Sequence, residues 1–215
     1  VTNHIISDYS SNTITYNQTD TTLTNYLSFS LANYEALIDA PGEYVFRETP
    51  ESNGKYRIFL WPRSGDPGDS EISVSVRDHC FHLSNRRHIN LEGFVCQYTG
   101  GIGSTYQGVA IRAVNGGDNI AVRRNVIQHC RYADKGGYGA IYFSGVNHGL
   151  IEDNLAQWNP KHRGIFCAGC ENTVVRGNTV SRAGMTGISF YTCSLSQVVD
   201  NSVYDCRGCH ANGMS

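Results

Sequence analysis

The chain has 215 residues, of which 40% are hydrophobic and 11% aromatic, a composition that indicates a folded protein and excludes a disordered one. No run approaches the ~20 consecutive apolar residues that a membrane span requires. The net charge of −2 is unevenly distributed: residues 1–78 carry five Lys or Arg against eleven Asp or Glu, and residues 79–215 carry twelve against eight. The second region is therefore the better candidate to meet an anionic partner.

Residues 1–78 form the first predicted region, an N-terminal β-rich segment that contains one short helix. The stretch "ANYEALIDAPGEY" (32–44) predicts the helix, which would end at Pro41-Gly42. A hairpin around Ser52-Asn53-Gly54 follows, and then a turn over residues 65–68.

Residues 79–215 form the second predicted region, in which a pattern of alternating apolar residues recurs. An alignment of its clearest copies places Val109 beside Ile141 and Ile111 beside Phe143. Each unit of 23 to 32 residues holds three short β-type runs and no helical periodicity, which predicts a solenoid of stacked parallel strands. The aligned copies are "GVAIRA" (108–113), "AIYFSG" (140–145), "GIFCAG" (164–169) and "GISFYT" (187–192).

An asparagine recurs at one position of the repeat. It falls fourteen residues after the last three starts, at Asn154, Asn178 and Asn201, and seventeen after the first, at Asn125. Asparagines stacked at a corner can bond to one another, because neighbouring strands are about 4.8 Å apart. A degenerate earlier copy at 80–96 has Phe94 in the place of the asparagine, and a further copy begins at Gly213.

The "N-x-[IV]" corner and the "G-[IV]-x-[FIC]" strand over residues 79–215 resemble the right-handed parallel β-helix superfamily, the pectate-lyase-like group of carbohydrate-active type. The resemblance implies an all-β fold, a right-handed parallel β-helix with an N-terminal β-rich, insertion-like segment. The pattern "PGEY…YRIFLWP…GDP" looks like the insertion that precedes the main coils in bacterial members assigned to carbohydrate metabolism. We therefore expect the chain to be a piece of a longer protein that is secreted or displayed on the cell surface.

The eight cysteines do not form a recognisable metal-binding pattern, although they include two CxxC pairs. Cys167 occupies an inward position of the repeat and is expected in the core, with Cys170 in the next turn. The second pair, Cys206 and Cys209, belongs to another side of the next coil, so tetrahedral zinc ligation by both pairs is not expected. Their even number is compatible with disulfides, whose connectivity the sequence leaves open.

In the resembled superfamily the substrate groove commonly runs along the outward face of the first strand. Here that face is aromatic and basic, which suits sugar rings that carry carboxylates; an ordinary exposed β-face is the alternative. The loops that enter the first strand add further basic and aromatic side chains. We predict that substrate is bound by His82, Arg112, Phe166, Tyr191, Trp158, Lys135 and His129.

Elimination or epimerisation at C5 of a uronate needs a base and a cation beside the carboxylate. His162 or Lys161 is predicted as the base, Arg163 as a carboxylate ligand alongside Arg112, and Tyr142 as an acid or stacking group. Glycoside hydrolysis needs two carboxylates, and the outward first-strand positions contain none. The sequence thus favours a polysaccharide lyase or epimerase over a glycoside hydrolase, with a non-catalytic glycan-binding or structural module as the rival class.

The expected partner is a polysaccharide, most simply an acidic one, and no nucleic-acid or membrane partner is expected. No cofactor and no metal site are predicted. The acid-rich calcium cluster of pectate lyases is not recognisable, so the sequence does not support calcium binding. Oligomeric state is left open.

Overall fold

The computed structural model describes residues 5–10, 13–17, 38–46, 52–54, 57–63, 65, 66, 68, 75, 77–100, 108–130, 138–160, 162–207, 213 and 214. The chain divides into two compact units, Thr2–Ser73 and Val74–Ser215. All the elements assigned in the described residues are β-strands. Among these residues, no helix has the length and apolar character needed to cross a membrane.

In its described residues, the first unit contains two antiparallel hairpins. One joins β1 (Ile5–Ser10) to β2 (Thr13–Asn17), and the other joins β3 (Tyr44–Phe46) to β4 (Ile58–Leu60). Residues 52–54 form a turn between β3 and β4, as the sequence predicts.

The predicted helix of residues 32–44 is not formed where the structure describes it. Its residues 32–37 lie outside the described part of the chain, and residues 38–40 are not helical. The amides of Asp39 and Ala40 instead donate to the carboxylate of Glu43, at 2.9 and 3.0 Å, and this closes a turn around Pro41-Gly42. The local side-chain acceptor therefore competes successfully with helical bonding at this end of the segment.

The second unit is a solenoid of three parallel five-stranded sheets. We call one strand from each sheet, taken in chain order, a rung. Sheet 1 contains β5 (Phe81–Ser84), β8 (Ile111–Val114), β11 (Gly139–Ser144), β14 (Arg163–Ala168) and β17 (Ile188–Tyr191). Sheet 2 contains β6 (Arg87–Glu92), β9 (Asp118–Arg123), β12 (Leu150–Glu152), β15 (Val174–Arg176) and β18 (Gln197–Val199). Sheet 3 contains β7 (Val95–Gln97), β10 (Val126–Gln128), β13 (Leu155–Asn159), β16 (Thr179–Ala183) and β19 (Ser202–Tyr204).

The register of sheet 1 corrects the sequence alignment in the second rung. Ile111, rather than Val109, pairs with Ile141, and Ala113 pairs with Phe143. A shift of two residues preserves the alternation of inward and outward side chains, so hydrophobicity alone cannot detect it. The remaining rungs follow the alignment, and Met214 begins the further copy by pairing with Ile188.

Stacked columns of aliphatic side chains form the core. In sheet 1 the column Ile111, Ile141, Ile165 and Ile188 is at most 1% exposed. Burial of each such side chain contributes about 1.5–3 kcal/mol, so the columns supply the main driving force for stacking. Equivalent columns fill the other two sheets: Val122, Ile151 and Val175 in sheet 2, and Ile127, Ala156 and Val180 in sheet 3.

The predicted asparagine ladder is present at the corner between sheets 2 and 3. The side-chain amide of each of the first three asparagines donates to the carbonyl oxygen of the next one, at 3.0, 2.9 and 2.9 Å. Each amide also donates to a backbone carbonyl, and the backbone N–H of Phe94 donates to Asn125 in place of a fifth member. The members are Asn125, Asn154, Asn178 and Asn201.

The corners share a left-handed backbone conformation. In each of the five described rungs, four corner positions have φ between 49° and 76°. Glycine is the usual residue for this conformation, yet only four of the twenty positions hold glycine. The position in the rung, rather than the residue type, therefore sets the corner geometry. The residues in chain order are Asn85, His88, Gly93 and Tyr98; Asn115, Asn119, Arg124 and His129; Gly145, His148, Asp153 and Trp158; Gly169, Asn172, Gly177 and Arg182; Thr192, Leu195, Asp200 and Asp205.

Candidate functional site

The outer face of sheet 1 carries a row of side chains that repeats once per rung. Strand register stacks His82, Arg112, Tyr142, Phe166 and Ser189 in this row. The two-residue correction of the second rung is what brings Arg112 between His82 and Tyr142. Four residues predicted for the site thus share one line on the surface.

His82 and Arg112 form the accessible end of this row. The Nη1 atom of Arg112 lies 2.6 Å from Nε2 of His82. Because a guanidinium group can only donate, Nε2 accepts this bond, and the imidazole is neutral with its proton on Nδ1. Partial burial and the positive charge of Arg112 both lower the pKa of His82, which keeps the ring neutral at physiological pH.

His79 adds a second imidazole beside this pair. Its ring lies edge-on to that of His82, with 5.2 Å between centroids, and its Nδ1 atom lies 2.8 Å from the carbonyl oxygen of Val109. Burial lowers the pKa of His79, and the charge of Arg112 lowers it further. His79 was not predicted from the sequence, in which its place two residues before β5 is a weak signal.

The centre of the row is closed by aromatic packing. The rings of Tyr142 and Phe166 stack at 5.3 Å, and that of Tyr138 packs against Tyr142 at 5.0 Å. The guanidinium carbon of Arg163 lies 4.4 Å from the centroid of Phe166. Tyr142 is only 7% exposed. A side chain so enclosed is a structural element of this face, and substrate access to Tyr142 would require movement of its neighbours.

His162 lies inside the protein. Its side chain is completely buried, Nδ1 lies 3.1 Å from the carbonyl oxygen of Tyr138, and burial lowers its pKa to about 4. This placement does not favour the predicted role as a base, because the ring cannot reach a polymer bound at the surface. Lys161 and Lys135, predicted alongside it, lie outside the described residues.

Tyr191 lies at the opposite end of the face and is 65% exposed. It belongs to the second outward row of sheet 1 and pairs with Ala168. Three rungs separate Tyr191 from Arg112, a distance of roughly 14 Å at the usual strand spacing. The two side chains could therefore contact one polymer only through different sugar residues.

His129 and Trp158 lie on a different line, the corner that follows sheet 3. The rings of Tyr98 and His129 stack at 5.5 Å, and those of His129 and Trp158 at 6.3 Å. Arg182 covers the other face of Trp158, with 3.9 Å to the ring centroid, and bonds to Asp205 at 3.3 Å. We call these five residues the corner file. The rings of His129 and Trp158 thus have a neighbour on each face, so they present edges rather than open faces to a sugar.

Acidic side chains are absent from the outer positions of the described sheet 1 strands. On sheet 2, Glu92 bonds to Arg124, and Glu152 lies 2.5 Å from Arg176 and 3.8 Å from Arg123. These carboxylates are neutralised by arginines, and none forms an acid pair facing sheet 1. In the described part of the chain, no group of three or more His, Cys, Asp or Glu is arranged to hold a metal ion.

The comparisons with known proteins agree with this architecture. The model of a family described as "right handed beta helix region" matches residues 58–215. No curated protein and no solved structure matches the chain.

Proposed function

Since the chain belongs to the right-handed β-helix family, we propose that the outer face of sheet 1 binds an acidic polysaccharide and catalyses lyase or epimerase chemistry on it. The observation that carries the proposal is the contact between His82 and Arg112, a neutral imidazole held against a guanidinium group on an exposed face whose described strands carry no acidic side chain. A protein that acts on such a polymer meets it outside the cell, so secretion or surface display belongs to the proposal.

The two side chains have complementary roles in this chemistry. A uronate carboxylate competes for the guanidinium group of Arg112, since a bidentate ion pair is stronger than a bond to a neutral ring nitrogen. When Arg112 turns to the carboxylate, the lone pair of His82 Nε2 is released and can accept the C5 proton. Arg112 then stabilises the negative charge that develops on the carboxylate oxygens. In elimination the C4–O4 bond then breaks and its electron pair leaves with O4, which takes a proton from solvent; in epimerisation solvent returns a proton to the opposite face of C5. Binding of the substrate thereby activates the base.

The proposal predicts distinct effects for the two residues. His82→Gln is expected to lower the rate of uronate elimination by about 10²–10⁴-fold with binding retained, since only the proton acceptor is lost. Arg112→Lys is expected to weaken binding as well, because an ammonium group cannot form the bidentate pair. Ultraviolet absorbance of unsaturated uronates and gel-shift affinity, measured on alginate, pectin and glycosaminoglycans, separate the two effects. Epimerisation leaves no unsaturated product and is followed by exchange of the C5 proton with deuterated solvent.

The pH profile provides an independent measurement. Only neutral His82 can act as a base, so activity should fall as the pH drops through its pKa. Because that pKa lies below the ordinary histidine value, the acidic limb should be displaced to lower pH. His148→Gln is the matched control, since this exposed histidine bonds to Asp118 on sheet 2. Equal losses in His82→Gln and His148→Gln, or neither binding nor turnover in the parent protein, would contradict the proposal.

The enclosed centre of the face favours a second candidate, a non-catalytic glycan-binding or structural module. Tyr142 and Phe166 use their ring faces on each other, as in a packed surface. This candidate predicts polymer binding without elimination or C5 exchange, and no effect of His82→Gln beyond affinity. A glycoside hydrolase would need a carboxylate pair that the described first-sheet strands do not supply.

A further inference from the structure

Two cysteines lie side by side in the first rung. Cys80 immediately precedes β5, Cys96 lies in the middle of β7, and each thiol shifts the pKa of the other. The strand register places them at the rung positions that Gly164 and Val180 occupy in the fourth rung.

The equivalent pair of positions in the fourth rung shows how closely sheets 1 and 3 approach each other there. A Cβ atom at Gly164 would lie 3.3 Å from the Cβ atom of Val180. The Cβ atoms of a disulfide are about 3.5–4.5 Å apart, so two cysteines at these positions need only a small adjustment to bond. Such a bond in the first rung would link the beginning of sheet 1 to sheet 3.

The two thiols differ in accessibility and in acidity. Cys80 is exposed, whereas Cys96 is 1% exposed. The neighbouring thiol of Cys96 lowers the pKa of Cys80 to about 7, and the backbone N–H of Gln97 and the charge of Arg77 favour its thiolate further. The same contact raises the pKa of Cys96. Because the thiolate is the nucleophilic form, Cys80 is suited to attack and Cys96 to resolve.

A second pair in the same solenoid lacks the accessible member. The thiols of Cys167 and Cys170 also shift the pKa of each other, but these residues are 0% and 1% exposed. A dissolved oxidant can reach them only when the rung opens. Both pairs are close in space, so the exposure of Cys80 is what distinguishes the first pair from the second.

We propose that Cys80 and Cys96 are a redox-active pair that closes the first rung with a disulfide when it meets a small-molecule disulfide such as glutathione disulfide. The thiolate of Cys80 attacks one sulfur of the oxidant, forming a mixed disulfide and releasing one glutathione thiolate. Cys96 loses its proton to solvent and attacks the Cys80 sulfur, which releases the second glutathione thiolate. Two protein thiols are oxidised and one glutathione disulfide is reduced to two glutathione molecules.

The test uses the folded, reduced chain incubated with glutathione disulfide and mapped by mass spectrometry after alkylation. We expect loss of two thiols per chain and a peptide linked through Cys80 and Cys96. The closed rung should raise the melting temperature by about 5 °C or more, because the cross-link constrains the unfolded chain.

Three variants separate the roles. Cys96→Ser should stop at a lasting glutathione adduct on Cys80, Cys80→Ser should form neither adduct nor link, and Cys206→Ser should behave as the parent chain. A parent chain that forms no Cys80–Cys96 link while remaining folded, or a Cys167–Cys170 link that forms equally fast, would overturn the proposal. The mass readout does not depend on any activity of the sheet 1 face.

Discussion

At the scale of single residues, His162 shows how the same chemistry can serve structure or catalysis. Its place directly before a strand, between Lys161 and Arg163, makes it, like Lys161, a predicted base. The folded chain turns the ring inward, where it contacts the carbonyl oxygen of Tyr138 and has no exposed surface. A buried neutral histidine contributes packing, and it makes the fold sensitive to acid.

That sensitivity is a testable prediction. The pKa of His162 is about 4 in the folded state and near 6.5 in the unfolded state, so the unfolded chain binds the additional proton as the pH falls. The contribution of neutral His162 to the free energy of unfolding is fully present above pH 6.5. It is lost as the pH falls from 6.5 to 4, to a total of about 3 kcal/mol. Urea unfolding at a series of pH values should show a steeper loss in the parent chain than in His162→Asn.

Comparable slopes in the two proteins would show that His162 does not titrate in this way. The readout is the slope and not the absolute stability, so a variant that is less stable at every pH remains informative.

At the scale of elements, two amide ladders of similar chemistry differ in burial. The asparagine ladder is inside the corner between sheets 2 and 3, where Asn154 is 1% exposed. Gln97, Gln128 and Gln157 form a second ladder on the outer side of sheet 3, with bonds of 3.1 and 3.2 Å between successive amides. Hydrogen bonds next to water are replaced at low cost when broken, whereas buried groups stay unsatisfied.

The two ladders therefore predict unequal costs. Asn154→Ala leaves the backbone amide of Asn125 without its acceptor, removes one of the two acceptors of the Asn125 side-chain amide, and leaves the carbonyl of Val122 without its side-chain donor. We expect a loss of about 3 kcal/mol or more in the free energy of unfolding, at about 1–3 kcal/mol for each buried group. Gln157→Ala, the matched control, should cost about 0.5 kcal/mol. Equal values in chemical denaturation would refute a burial-based difference.

At the scale of the whole molecule, the repeat made the fold predictable. Alternation of apolar residues and the recurring asparagine were sufficient to predict the solenoid, its three strands per rung and the corner ladder. Alternation has a period of two, so it could not exclude the two-residue error at Ile111. The outward-facing row of sheet 1 was largely predictable, because a shift of two residues leaves each side chain on the same face of its strand. The burial of Tyr142 and His162 was not, since it depends on contacts between segments distant in sequence.

The third and fourth rungs differ in how they fill one pair of facing positions in sheets 1 and 3. Ala140 lies opposite Ala156 in the third rung, and Gly164 lies opposite the larger Val180 in the fourth. A Cβ atom at Gly164 would lie only 2.2 Å from Cγ1 of Val180 and 2.6 Å from the carbonyl oxygen of Gly187. In the fourth rung the absent side chain of Gly164 therefore compensates for the larger side chain of Val180.

This compensation predicts coupling between two substitutions. Gly164→Ala should destabilise by about 1–3 kcal/mol through overpacking, and Val180→Ala by about 2 kcal/mol or more through the cavity it leaves. The double variant recreates the Ala140–Ala156 combination and should cost less than the sum, although the Gly187 carbonyl still crowds the new methyl group. Gly213→Ala, where a Cβ atom meets nothing within 4 Å, is the control and should be close to neutral. Additive costs would exclude coupling through volume.

The left-handed corners have a practical meaning. Sixteen side chains other than glycine already occupy them, and these range from aspartate to tryptophan. A polypeptide that tolerates such variety at fixed intervals of about 4.8 Å works as a molecular ruler. Chromophores, charges or metal chelators grafted onto one edge of it would be held at integer multiples of a single spacing.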